Sequence, residues 1–111
     1  MAILGTPGGS RIITMVLLGI LDFAAGRQPE SWVSLPRFHH QYLPDVVQYE
    51  PDTFDPSALK TLAAKGHTLK PQQSTWGNMQ AIYLDKKTGE VSAASDPRGI
   101  GTAQVSARRG K

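Results

Sequence analysis

Gly5-Thr6-Pro7-Gly8-Gly9-Ser10 is the segment whose residue types bear most directly on chemistry. A glycine-rich turn that opens a helix offers adjacent backbone N–H groups to an approaching group, and the positive end of the helix dipole reinforces them. Such a loop suits a phosphate, a carboxylate or the oxyanion of an acyl-transfer intermediate. It is not a Walker loop, because no Gly-Lys-Ser/Thr follows, and it lacks the spacing of a dinucleotide fingerprint. The same residues also suit an ordinary tight turn between a strand and a helix. On their own they leave both uses open.

Two other clusters carry reactive types. His39-His40 with Asp45 nearby has the composition of a metal site. Neighbours on an extended segment point to opposite sides, however, so both imidazoles are not expected on one ion, and no metal is assigned. Ser95-Asp96-Pro97-Arg98 places a carboxylate and a guanidinium in one turn, which turn formation and a local ion pair explain. No serine occupies a Gly-x-Ser-x-Gly elbow, and no two carboxylates sit at a spacing that would put them on one face. Cysteine is absent, which excludes disulfides, thiolate metal sites and thiol nucleophiles. A self-sufficient catalytic set is therefore not expected.

The elements that must position these residues can be read from the hydrophobic pattern. Ala2-Ile3-Leu4 is a short apolar strand ending in the glycine-rich turn, and Ser10 is expected to cap the helix beyond it. From Arg11 to Ala25 apolar residues cover nearly every face, leaving a narrow stripe through Thr14, Gly19 and Asp22, so this helix must be buried on several sides. Gly26 stops it and Pro29 prevents continuation. Gln28–Ser34 suits one short helical turn, and Leu35–Asp45 is extended between Pro36 and Pro44. Val46–Glu50 reads as a strand. Asp55-Pro56 begins a helix with Asp as N-cap and Pro at N1, ending at Gly66 in the left-handed conformation. His67–Lys70 suits a strand, and Met79–Leu84 with Val91–Ala94 form a hairpin about Asp85–Gly89. A helix apolar all round belongs in a layered body larger than these residues supply.

The chain has 111 residues, enough for one small domain or part of a larger one. Its net charge is +3, and Arg108, Arg109 and Lys111 concentrate at the end, leaving a neutral body without the basic face that nucleic acid requires. Residues 1–98 form the expected structural unit, and 99–111 a basic, disordered tail. The apolar run Ile12–Leu21 imitates a signal peptide, but Asp22 stands where cleavage would need a small neutral residue and no charged leader precedes it. It is too short for a membrane span, which takes about 20 apolar residues.

Four blocks together resemble a known family. Gly5-Thr6-Pro7-Gly8-Gly9-Ser10-Arg11-Ile12-Ile13-Thr14, Pro36-Arg37-Phe38-His39-His40-Gln41-Tyr42-Leu43-Pro44-Asp45, Leu62-Ala63-Ala64-Lys65-Gly66-His67 and Ala94-Ser95-Asp96-Pro97-Arg98 look like the C-terminal part of the small subunit of gamma-glutamyltransferases (gamma-glutamyltranspeptidases). Order and approximate spacing match as well. The resemblance implies an α+β fold, a partial αββα sandwich of the N-terminal-nucleophile hydrolases. It implies a threonine nucleophile, freed by self-cleavage, whose α-amino group acts as base. It also implies a donor such as glutathione, with the gamma-glutamyl group passed to water, an amino acid or a peptide. By the same resemblance Gly8 and Gly9 supply backbone amides to the oxyanion hole, with Pro7 and Ser10 as substrate-binding neighbours, and no cofactor takes part. The implied partners are the upstream, nucleophile-bearing part of the small subunit and the large subunit, and the implied location is periplasmic or extracellular.

The family's threonine, and the residues that hold the glutamyl α-groups, lie upstream of the matching blocks. Thr6 and Thr14 are in no corresponding motif, so these residues alone are expected to be inactive. An independent anion-binding or scaffold module that keeps the loop is the alternative expectation. Strand edges that would pair elsewhere are expected to promote oligomerisation or poor solubility.

Overall fold

The computed structural model describes residues 1–107; Arg108, Arg109 and Lys111, the basic end of the expected tail, lie outside the described residues. In chain order the elements are β1 (Ala2–Gly5), a 3₁₀ turn (Gly9–Arg11), α1 (Ile12–Ala24), α2 (Pro29–Ser34), β2 (Phe38–His39), β3 (Val47–Tyr49), α3 (Pro56–Ala64), β4 (Leu69–Pro71), β5 (Gln80–Leu84) and β6 (Val91–Ser95). They form two three-stranded sheets, β1-β5-β6 and β2-β3-β4, giving the mixed α and β class expected. The first sheet is antiparallel throughout, with Ile3 opposite Ile82 and Ala81 opposite Ala94. In the second, β2 pairs antiparallel with β3 and β4 pairs parallel to it after the crossover through α3. Pro71 is tolerated because β4 is an edge strand.

Local chemistry accounts for the element ends. Asp55 Oδ1 accepts the Ala58 N–H at 2.7 Å, and Pro56 follows at N1. At the other end Gly66 has φ +93°, its N–H bonds Ala63 O and the His67 N–H bonds Leu62 O, which is the paired closure of a Schellman cap. The β5–β6 turn is pinned by Asp85, whose carboxylate accepts the Lys87 N–H at 2.8 Å. Ser10 does not cap α1. Winding begins two residues earlier, at Gly9 with Gly8 in the cap position, and no side-chain cap is made, because a residue already inside a helical turn cannot take the extended conformation of an N-cap.

α1 and α2 pack on one face of the first sheet, around Met15, Trp32, Val33, Met79, Ala81 and Ala94. Phe23, Trp32 and Tyr83 meet edge-on or tilted with centroids 5.4–6.1 Å apart. The expectation that α1 is buried on several sides is not met within these residues. Only Met15 and Gly19 are buried, and the narrow stripe turns inward, because Gly19 lets the helix approach until a Cβ there would stand 3.4 Å from Leu4 and 3.5 Å from Met79. The apolar face holding Ile13, Leu17, Ile20 and Leu21 is outside, with Ile13 78% exposed. The radius of gyration, 16.4 Å, exceeds the about 13 Å of a compact domain of this length. Residues 99–107 carry no helix or strand, and Thr102–Gln104 help line a groove of 460 Å³ on the sheet's far face. No helix is long and apolar enough to cross a membrane among the described residues.

Candidate functional site

β1 delivers the chain to Gly5, and the turn that follows reverses it into α1. Gly8 has φ +148° and Gly9 φ +59°, conformations that favour glycine. Both are exposed. A Cβ at Gly8 would also lie 2.4 Å from Met15 Cε, so the buried methionine would have to shift to admit one. The carbonyls of this turn are held within it: Gly8 O accepts the Arg11 N–H at 3.2 Å, and Gly9 O accepts the N–H of Ile12. No acceptor among the described residues takes the Gly8 or Gly9 N–H. Two adjacent donors on exposed residues, ahead of α1, are thus left without an internal partner, and such a pair can hold a negative oxygen.

Around this turn the second block is brought alongside. Thr14 Oγ1 and His39 Nδ1 are 2.8 Å apart, and His39 Nε2 is 2.8 Å from Gln41 Oε1. With the amide oxygen accepting, Nε2 carries the proton and Nδ1 accepts from the threonine hydroxyl. His40 faces the other way and meets Asp45 at 2.6 Å. The two histidines therefore serve separate partners, His39 buried and His40 exposed, rather than one ion. Ser10 lines two clefts beside the turn, of 500 and 220 Å³, each shared with His39 and Gln41. Arg11 stands over the Trp76 ring at 5.0 Å and donates to Gln48 Oε1 at 2.6 Å, tying the helix start to β3.

Beneath the turn lies a feature that local spacing does not disclose. Arg37, Glu50, Asp96 and Arg98 form a buried four-charge cluster, with the first three only 1%, 2% and 1% exposed. Arg37 Nη2 donates to Asp96 Oδ2 at 2.7 Å, and Arg98 reaches Asp96 Oδ1 at 3.1 Å and Glu50 Oε2 at 2.6 Å. Arg98 Nε also donates to Glu50 Oε1 at 3.0 Å, making that pair bidentate, and both guanidiniums donate further to backbone carbonyls: Arg37 to Val33 and Trp76, Arg98 to Val33 and Leu35. The ion pair of Asp96 and Arg98 is thus not merely local, as expected from the turn, but one side of a knot joining α2, β2, the end of β3 and the end of β6. Two carboxylates do converge here, from positions far apart in the chain. Burial alone raises the Asp96 carboxyl, but bonds from the Met79 and Arg98 amides and both guanidiniums outweigh it, so its pKa is lowered. Burial likewise opposes the charge on Arg98, yet Glu50 and Asp96 raise its pKa. Arg37 moves the other way: burial above all, and the neighbouring Arg98 charge, lower its pKa more than Asp96 and Glu50 raise it. With every charge paired and hydrogen-bonded, this cluster holds structure.

A protein-family model described as gamma-glutamyltranspeptidase matches residues 1–106. The glutathione hydrolase proenzyme of Escherichia coli strain K12 is 41% identical over 97 residues, covering 86% of this chain and 16% of its own length. That of Pseudomonas aeruginosa is 44% identical over 110 residues, covering 93% and 19%. Among solved structures, gamma-glutamyltranspeptidase from Pseudomonas nitroreducens complexed with L-DON superposes with a TM-score of 0.83 at 36% identity, covering 96% of this chain and 55% of that one. The Helicobacter pylori enzyme's T380A mutant gives 0.81 at 34%, covering 88% and 54%. The chain thus spans less than a fifth of these two curated relatives and about half of these two solved chains. By sequence and by fold, it belongs to the gamma-glutamyltranspeptidase family, and its two sheets and helices are part of that family's N-terminal-nucleophile hydrolase sandwich.

Proposed function

We propose that residues 1–98 serve as the C-terminal portion of a gamma-glutamyltransferase small subunit and that Gly8 and Gly9 supply its oxyanion hole. One observation carries this reading: two neighbouring, exposed glycine amides without an acceptor among the described residues, ahead of α1. A threonine borne by the upstream part attacks the gamma-glutamyl carbonyl of glutathione or a related donor. Its proton passes to the threonine's own α-amino group and then to the leaving amine. The carbonyl oxygen takes up the charge, and the Gly8 and Gly9 N–H groups meet it, each such donor being commonly worth about 2.7–4 kcal/mol. Collapse leaves a glutamyl ester, which water, an amino acid or a peptide then opens. Pro7 and Ser10 border the acyl group on either side of the two donors. The large subunit completes the site, and the compartment proposed for the assembled enzyme is periplasmic or extracellular.

The test is release of p-nitroaniline from gamma-glutamyl-p-nitroanilide, measured for the chain alone and for the chain joined to a nucleophile-bearing upstream part. Turnover by the joined form only is the expected result. Hydrolysis by the chain alone above background would overturn the assignment of roles. Calorimetry with glutamate and with phosphate addresses the alternative, since an independent anion-binding module would take up one of them without a partner.

A further inference from the structure

A trans peptide unit is planar, so the direction of an N–H is set by whatever holds the carbonyl of the preceding residue. The Gly9 N–H shares its plane with Gly8 O, which the Arg11 N–H holds. The Gly8 N–H shares its plane with Pro7 O, which accepts the Thr6 hydroxyl at 2.9 Å. That hydroxyl oxygen in turn accepts the Asn78 N–H at 3.0 Å, from a residue 72 positions away. Asn78 is itself anchored: the nearby Trp76 donates its N–H to Glu50 Oε1 at 3.0 Å and receives Arg37 Nη1 on its carbonyl at 2.7 Å. Gly77 permits this close approach, because a Cβ there would lie 3.1 Å from Thr6 Oγ1 and 2.5 Å from Met15 Sδ.

We propose that Thr6 is a positioning residue, transmitting the fixed geometry of the buried charge cluster through Asn78 to the peptide plane that aims the Gly8 amide. It touches no substrate atom in this role. The inference rests on the oxyanion-hole reading for its catalytic meaning, while the mechanical link can be tested without it.

The experiment compares the unaltered chain with Thr6→Val, which keeps the shape and removes the hydroxyl, and Thr6→Ser, which restores it. Amide resonances of the 15N-labelled chain are read in solution, or in the solid state where the chain self-associates. In Thr6→Val the Gly8 resonance is expected to move further than that of Gly9, whose carbonyl partner is untouched, and in Thr6→Ser to return. Should Thr6→Val fail to fold, the pair Thr6→Ala and Thr6→Ser makes the same comparison. In the chain joined to its nucleophile-bearing part, kcat for gamma-glutamyl-p-nitroanilide is expected to fall up to about 100-fold in Thr6→Val with KM unchanged, and to recover in Thr6→Ser. A Gly8 resonance indifferent to loss of the hydroxyl would overturn the proposal. A Gly8 shift that recovers with serine, alongside unchanged kcat, would support the link and refute the oxyanion-hole reading instead.

Discussion

Asp96→Asn is the perturbation that most directly tests what holds this molecule together. Each Asp96 oxygen accepts one guanidinium and one backbone N–H: Oδ2 from Arg37 at 2.7 Å and Met79 at 2.9 Å, Oδ1 from Arg98 at 3.1 Å and 2.9 Å. Whichever way the asparagine amide is turned, its NH₂ opposes one guanidinium and one backbone donor. The substitution is nearly isosteric, so no cavity arises and the loss is electrostatic. Removing one partner of a buried pair costs about 3–5 kcal/mol, because the remaining charge stays desolvated. Two charge-assisted hydrogen bonds at about 1.5–3 kcal/mol each lead to the same range. Against a total stability of about 5–15 kcal/mol, that is a large share. The assay is urea unfolding followed by fluorescence of the buried Trp32. At a slope of about 1.5 kcal/mol/M the midpoint should fall by about 2–3 M with the slope unchanged. Arg27→Ala serves as the control: Arg27 meets Asp22 at 3.3 Å with its side chain 66% exposed, and its loss should change stability by less than about 1 kcal/mol. A loss below about 1 kcal/mol for Asp96→Asn would refute the claim that the cluster ties the two sheets together.

Other expectations rest on named contacts. The Asp96 pKa is lowered in the folded state, so the stability it contributes is present above the ordinary carboxylate value and is lost as pH falls through the folded value; acid unfolding measured below about pH 4 should be steeper in the unaltered chain than in Asp96→Asn. Gly77→Ala, at φ +86° and with Met15, Arg37 and Thr6 around it, should destabilise by about 2 kcal/mol in the same urea assay. Asp55→Ala removes the α3 cap and should lower stability by about 1 kcal/mol without altering the Gly8–Gly9 turn. The outer face of α1 should drive self-association visible in sedimentation velocity, and Ile13→Lys should reduce it; a monomeric unaltered chain with a sharp cooperative melt would contradict this.

What could be read along the chain was whatever is decided by neighbours in sequence. The α3 cap pair Asp55-Pro56, the Gly66 stop, the Asp85–Gly89 hairpin and the break at Gly26 each depend on backbone dihedrals and hydrogen bonds within a few residues, so residue type is enough. The glycine pair at 8 and 9 was legible for the same reason, since positive φ and unshielded amides are local properties. Ser10 was misplaced as a cap because the tight turn after Gly8 brings the onset of winding forward by two residues, which composition does not encode.

The sequence by itself therefore determined the α+β class, the position of the amide-rich turn and the family. Tertiary structure alone decided which side of α1 faces in. The apolar pattern calls for burial nearly all round, whereas the approach permitted by Gly19 buries the small stripe and leaves Ile13 and Leu17 outside. It alone also decided that Arg37, Glu50, Asp96 and Arg98 meet, because partners separated by up to 59 positions share no periodicity that a pattern could register. Charges so far apart find one another only once the chain has folded and water has been expelled between them, and that desolvation makes their pairing obligatory.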